Sequence, residues 1–160
     1  MAEPEREILT WQRFGEANRE LAQVIWDSGY RPNLVVAIAR GGLLFAGGLA
    51  YALGVKQCDA LNIEFYTGIG ETLDEPIMLA PLMDAEAAKG AKVLLVDDVA
   101  DSGRTLKLAV ELIEQMGAEV RSAVLYTKPR SIAKPDYSWA ETPKWITFPW
   151  SALPPVGETA

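Results

Sequence analysis

Apolar residues along this chain follow two patterns. The first is the spacing of a half-buried helix. Phe14, Ala17, Leu21, Val24, Ile25 and Ser28 recur every three or four positions after Thr10. That spacing predicts a helix from about Trp11, capped by the Thr10 hydroxyl and stopped at Gly29, with Pro32 preventing continuation. Leu106, Ala109, Val110, Ile113 and Met116 predict a second amphipathic helix, ended by Gly117. The other pattern is the short continuous run. Leu34–Ala39 (LVVAIA) reads as a strand covered on both faces, as in a parallel sheet, Val93–Val96 as a second buried strand, and Val120–Thr127, led by Val and Leu, as a third. Between them, Gly42–Leu53 reads as a small-residue helix ending at Gly54, and Ala60–Tyr66 as a further strand. Thr67–Pro81 is polar, carries Gly and Pro and has no period, so it reads as a mobile loop. After Thr127, Pro129 and Pro135 interrupt the pattern. The Trp- and Pro-rich tail is expected to hold one short strand and otherwise irregular structure. Strands alternating with helices predict an α/β fold, a mostly parallel twisted sheet flanked by helices. Ligands of such sheets bind beyond the carboxyl ends of the strands.

Composition narrows the classes of function. The 160 residues, 49% of them apolar, suit one domain with its own core, read here as residues 1–160. The opening Met-Ala-Glu-Pro-Glu-Arg-Glu is acidic and expected to be frayed. A net charge of −7 argues against a nucleic-acid partner, which needs clustered Lys and Arg. An anionic ligand must therefore be held by a few local donors. Cys58 is the one cysteine, so no intrachain disulfide forms, and a reducing cytoplasmic setting is expected. The chain has no histidine, which removes His triads, His metal sites and His proton shuttles. From Leu34 to Val55 the only charge is Arg40. The pairs Gly41-Gly42 and Gly47-Gly48 make that stretch a strand, a turn and a helix, with no stable membrane insertion.

The chemistry concentrates in Val93-Leu-Leu-Val-Asp-Asp-Val-Ala-Asp-Ser-Gly-Arg-Thr-Leu106. Asp97 and Asp98 are expected at the ligand end of the strand. Adjacent carboxylates suit neighbouring hydroxyls of a sugar, or a hard cation such as Mg²⁺. The turn from Ala100 to Thr105 leads into a helix N-terminus, where free N–H groups and partial positive charge seat a phosphate. Gly103 permits close approach, and Ser102 and Thr105 add hydroxyls. Together these groups suit a ribose phosphate.

This segment resembles the phosphoribosyl-pyrophosphate motif of type I phosphoribosyltransferases: four apolar residues, an acidic pair, two variable residues, then Asp/Thr-Thr/Ser-Gly-x-Thr. Ala39-Arg40-Gly41-Gly42 resembles that family's pyrophosphate loop. The resemblance implies the type I fold, with a core at about 10–128. It also implies a small C-terminal hood at about 129–155, with N-terminal contributions. It places Arg40 and Gly41 on the pyrophosphate, with a cis peptide expected at Arg40-Gly41. It places Asp97, Asp98, Val99, Ala100, Ser102, Gly103, Arg104 and Thr105 on the phosphoribosyl group. Mg²⁺ is the implied cofactor, with Asp98 as its contact. Asp101, near the purine's imidazole edge, is the implied general base, or a carboxylate that steadies the protonated base.

Lys144-Trp145-Ile146-Thr147-Phe148-Pro149-Trp150 and Tyr126-Thr127-Lys128-Pro129 resemble bacterial xanthine–guanine phosphoribosyltransferases. Carried over, the Trp145 ring stacks on a purine, Lys128 donates to the oxygen at position six, and the Ile146 carbonyl accepts from an amino group at position two. Trp139 and Trp150 read as packing. The implied activity is that of a pentosyltransferase: phosphoribosyl pyrophosphate plus a 6-oxopurine gives the nucleoside 5′-monophosphate and pyrophosphate, in purine salvage. The implied assembly is a homodimer or homotetramer. The alternatives are another base (adenine, uracil or orotate) or a regulator that senses phosphoribosyl pyrophosphate. Two departures stand out. The family's mobile loop often carries Ser-Tyr, where Phe65-Tyr66 stands here. Arg104 also occurs in pyrimidine-linked relatives.

Overall fold

The computed structural model describes residues 5–68, 71–80 and 84–158. The expected fraying of Met1–Pro4, and the lid side chains around Phe65-Tyr66, lie outside the described residues.

The chain opens with a three-residue strand, β1 (Arg6–Ile8), and continues into α1 (Trp11–Asp27). The Thr10 hydroxyl accepts from the Arg13 N–H at 3.1 Å, so the expected cap is present. Ala17, Leu21 and Ile25 form the buried face, whereas Val24 is exposed. The predicted strand β2 (Leu34–Ala39) and helix α2 (Leu43–Leu53) follow, with Gly54 left-handed at the stop (φ 71°). Next come β3 (Cys58–Gly68), β4 (Glu71–Ala80) and a single helical turn, α3 (Ala85–Ala88). Then follow β5 (Lys92–Ala100), α4 (Arg104–Gln115), β6 (Glu119–Thr127), β7 (Tyr137–Glu141), β8 (Trp145–Thr147) and a short 3₁₀ turn at Pro149–Ser151.

Six strands form one sheet in the order β4-β3-β2-β5-β6-β7, parallel except for the β3–β4 hairpin. Period-2 alternation divides its residues between two cores. Val35, Ala37, Leu94, Val96, Ala123 and Leu125 face α1 and α2. Leu34, Val36, Ile38, Val93, Leu95 and Val124 face α4. Burial on both faces is why Leu34–Ala39 and Val93–Val96 read as continuous apolar runs. A separate two-stranded parallel sheet joins β1 to β8, with Arg6 opposite Trp145 and Glu7 opposite Ile146.

Several expectations are corrected. Thr67–Pro81 is not a loop along its described length, because β4 occupies Glu71–Ala80 at the sheet edge. An edge strand tolerates polar residues and proline, so its sequence carries no core pattern. The tail holds two strands, not one, plus the 3₁₀ turn. Arg6 and Glu7 belong to a strand and are not frayed. Asp97 and Asp98 lie inside β5, not beyond it, since β5 stays paired with β6 through Ala100 opposite Thr127. The cis peptide is Ala39-Arg40, one bond earlier than expected.

Candidate active site

The site is built at the carboxyl ends of β2 and β5. These strands are parallel neighbours paired from Leu34–Val93 to Ala37–Val96, so the loops that leave them emerge side by side. The chain runs from β2 outward to β3 on one side, while β5 and β6 lie on the other. That makes the β2–β5 gap the switch point of the sheet, where a crevice opens. Beyond Val96, β5 separates from β2 yet remains on β6. Asp97 and Asp98 line the resulting opening.

The Arg40-Gly41-Gly42 turn lies directly against this acidic pair. A Cβ on Gly41 would fall 2.5 Å from an Asp98 carboxylate oxygen, and one on Gly42 would meet the Val96 and Ile38 carbonyls. Only glycine allows that approach. Segments near residues 40 and 100 therefore meet in space. The Asp97 carboxylate accepts from the Asp98 N–H at 2.8 Å, and Asp98 accepts from the Val99 N–H at 2.7 Å. Burial pushes the Asp97 carboxyl well above the usual carboxylate range, and the Asp98 charge adds to the shift. Asp98 is also raised, mainly by burial, against hydrogen bonds from Asp97 and the backbone. A half-buried carboxyl pair of this kind is poised to be charged by a cation or by sugar hydroxyls.

Next to the pair, β5 passes through Asp101-Ser102-Gly103 into α4. Gly103 is left-handed (φ 84°) at the helix N-cap, and the Arg104 N–H donates to the Ser102 hydroxyl at 3.3 Å. The turn presents a helix N-terminus to a cavity of about 440 Å³. Ala39, Gly41, Asp97, Asp98, Val99, Ala100, Asp101, Ser102, Gly103 and Thr105 line it. Arg40 is exposed at its rim and does not line it, and neither does half-buried Arg104.

A second cavity, of about 380 Å³, opens on the other side of Asp101. Lys128, Trp145 and Ile146 line it together, and Arg6, Thr147 and Ser151 join them. Trp145 is 64% exposed, which removes it from the core and leaves its ring open to a planar ligand. The Lys128 ammonium donates to the Lys144 carbonyl and, at 3.5 Å, to the Pro143 carbonyl. With three N–H donors, it retains one for the cavity. The Thr147 carbonyl accepts from the Leu9 N–H across the β1–β8 pair. Successive carbonyls of a strand point to opposite edges, so the Ile146 carbonyl faces away from β1. Trp139 and Trp150 pack as expected. Trp139 meets the buried Tyr126 edge-on at 5.6 Å, and Trp150 stacks on Phe148 at 5.0 Å.

Two residues of the site escaped sequence reasoning. Arg6 enters because β1 pairs with β8. Arg130 donates twice to Asp101, at 2.6 and 2.8 Å. Arg6 lacked any signal, since a three-residue strand shows no period. For Arg130 the signal was its place two residues after Lys128, on the turn that closes over the phosphate loop. Both side chains are largely exposed, and a surface pair such as Arg130–Asp101 adds only about 0–1 kcal/mol to stability.

The sequence pattern of the phosphoribosyl transferase domain matches residues 5–154. A xanthine-guanine phosphoribosyltransferase of Gluconobacter oxydans (strain 621H) is 30% identical over 148 residues, covering 91% of this chain and 84% of that protein. A hypoxanthine-guanine phosphoribosyltransferase of Lactococcus lactis subsp. lactis (strain IL1403) is 31% identical over 141 residues, covering 84% of this chain and 75% of that protein. A solved purine phosphoribosyltransferase from Pyrococcus horikoshii Ot3 superposes with a TM-score of 0.82 at 32% identity, covering 96% of this chain and 99% of that one. This chain belongs to the phosphoribosyl transferase domain family.

Proposed function

We propose that the protein transfers the 5-phosphoribosyl group from phosphoribosyl pyrophosphate to a 6-oxopurine (guanine, xanthine or hypoxanthine), releasing pyrophosphate. The observation that carries this reading is the meeting of the Gly41-Gly42 turn with Asp98, beside a cavity holding an exposed Trp145 and Lys128. The names of the relatives agree with it.

The roles follow from position. Breaking the bond from C1′ to pyrophosphate builds positive charge on the ribose. Asp97 and Asp98 accept from the ribose hydroxyls and face that charge. The Ala100–Thr105 turn receives the 5′-phosphate through its N–H groups and the Ser102 and Thr105 hydroxyls. Arg40, at the rim, closes on the leaving pyrophosphate with its planar fork. Asp101, between the two cavities, takes the proton from the attacking base nitrogen. Trp145 stacks on the ring. Lys128 offers a donor, which suits an oxo group at position six and opposes an amino group there.

Mg²⁺ fits this donor set. Asp97 and Asp98 form a half-buried pair whose ionisation a dication would favour. Among the described residues no group of three or more His, Cys, Asp or Glu forms a metal cage. Mg²⁺ is commonly held by one or two carboxylates together with substrate phosphates, and here Asp98 would be the first of them. When bound, it supplies Lewis-acid charge to the leaving group. The same reading makes the chain one domain, with a hood at about 129–155 that includes β8 and takes β1 from the N-terminal side, while β7 within that range also edges the main sheet, and it has the protein act in the cytoplasm as a homodimer or homotetramer. No helix among the described residues is long and apolar enough to cross a membrane.

The test is a panel of bases incubated with phosphoribosyl pyrophosphate and Mg²⁺, with products resolved by chromatography. GMP, XMP or IMP is expected, with no AMP. AMP or UMP without any 6-oxo product would overturn the reading of Lys128 and Trp145. Trp145→Ala should raise KM for the base about tenfold to a hundredfold, because stacking contributes roughly 1–3 kcal/mol per base. Its melting temperature should hardly change, since the ring is 64% exposed. A lower melting temperature with an unchanged KM would make Trp145 a packing residue.

A further inference from the structure

Asp101 and Arg130 approach each other from the ends of adjacent strands, β5 and β6. Arg130 Nε and Nη2 both donate to one Asp101 oxygen, Oδ1, at 2.8 and 2.6 Å. An arginine fork more often spans both oxygens of a carboxylate. Here neither donor meets Oδ2. One oxygen is held twice by Arg130, and Asp101 lines both cavities.

The backbones that carry the two side chains are locked together. The Lys128 N–H donates to the Ala100 carbonyl at 2.9 Å, and the Ile132 N–H donates to the Ser102 carbonyl at 2.8 Å. Gly103 lies so close to Ser131, Ile132 and Ala133 that a Cβ there would overlap them. The turn bearing Arg130 is therefore laid along the loop bearing Asp101, with a tie on each side of the pair. Arg130 also reaches the phosphate-side cavity, and it shares a smaller one with Asp101, Lys128 and Trp145.

We propose that Arg130 is a positioning residue, which holds Asp101 by one oxygen so that the other faces the base nitrogen. The proposal rests on Asp101 as the proton acceptor of the reaction proposed above. Without the guanidinium, the carboxylate turns freely about its side-chain bonds, and an acceptor out of place by about an ångström costs about a hundredfold in rate. A lysine at the same place presents a single ammonium and reproduces the two-donor grip only in part.

The experiment compares wild type, Arg130→Gln, Arg130→Lys, Asp101→Asn and the double variant Arg130→Gln/Asp101→Asn. Each is assayed for kcat, for KM of both substrates and for melting temperature. Arg130→Gln is expected to lower kcat about 10- to 100-fold, with KM for phosphoribosyl pyrophosphate within about twofold and an unchanged melting temperature. Arg130→Lys recovers part of the loss. In the double variant, Arg130→Gln adds almost nothing to Asp101→Asn, because the two act as a unit. Wild-type turnover in Arg130→Gln would overturn the proposal. So would a rise in KM for phosphoribosyl pyrophosphate without a fall in kcat, which makes Arg130 a phosphate ligand. Losses that simply add in the double variant would also sink it. A wild-type protein inactive on every 6-oxopurine defeats the function proposed above and this inference with it, whereas an active wild type with any of the other three results defeats this inference alone.

Discussion

Asp101→Asn is expected to lower kcat by about 10²- to 10⁴-fold, the usual contribution of a positioned general base. The amide keeps the shape of the side chain and an oxygen to accept from Arg130, so the local structure survives. What it loses is the charge and the capacity to take a proton. Asp101 is the residue on which the geometry converges, because it lines both the 440 Å³ and the 380 Å³ cavities. It also stays partly open to solvent, with 45% of its side chain exposed, so a proton can leave for water after transfer. Steady-state kcat at saturating concentrations of both substrates, beside a melting curve, decides the matter. A variant that melts like wild type and forms product at the wild-type rate would place the proton acceptor elsewhere.

Much of this site could be read from the chain alone, for physical reasons. Strand β2 and the Val93–Val96 part of β5 are buried on both faces, and that burial writes an unbroken apolar run into the sequence. Helices α1 and α4 have one buried face each, which writes the three- and four-residue spacing. The acidic pair and the Ser-Gly-x-Thr turn stand out because no packing requirement explains three carboxylates at a strand end. The resemblance implies that the two loops meet, and the parallel pairing of β2 with β5 is what brings their ends together.

What stayed hidden lies at edges and in short elements. β4 borders the sheet, so half its constraints are absent and its residues look like a loop. β1 and β8 have three residues each, too few for an alternation of period two to stand out. Their pairing depends on partners 139 positions apart, Arg6 and Trp145, which no local rule connects. Arg6 was lost with that strand. The true end of β5 was missed because Asp97 and Asp98 look like a strand terminus, while the β6 ladder continues to Ala100. In each case a tertiary partner, absent from local sequence, decided the outcome.

Gly103→Ala is expected to destabilise the fold by about 2–5 kcal/mol, from two separable causes. A residue with a Cβ in the left-handed region costs about 1–2 kcal/mol, and Gly103 has φ 84°. Overpacking adds about 1–3 kcal/mol, because the new methyl would stand 2.6 Å from the Ala133 nitrogen and 2.9 Å from the Ile132 nitrogen. Those are backbone atoms, which cannot swing aside as a flexible side chain would. At about 2–4 °C for each kcal/mol in a chain of this size, the melting temperature should fall by about 4–20 °C. Gly117→Ala provides the control. Gly117 is also left-handed (φ 94°), yet its nearest neighbour would be 3.7 Å away, so only the backbone cost applies. The difference between the two variants isolates the contact between the phosphate loop and the 131–133 turn. That contact also sets where Lys128 and Arg130 stand relative to Asp101, so Gly103→Ala should lose turnover as well as stability, whereas Gly117→Ala should lose stability alone. Equal shifts in melting temperature, with both variants fully active, would show that the close approach at Gly103 contributes nothing to the site.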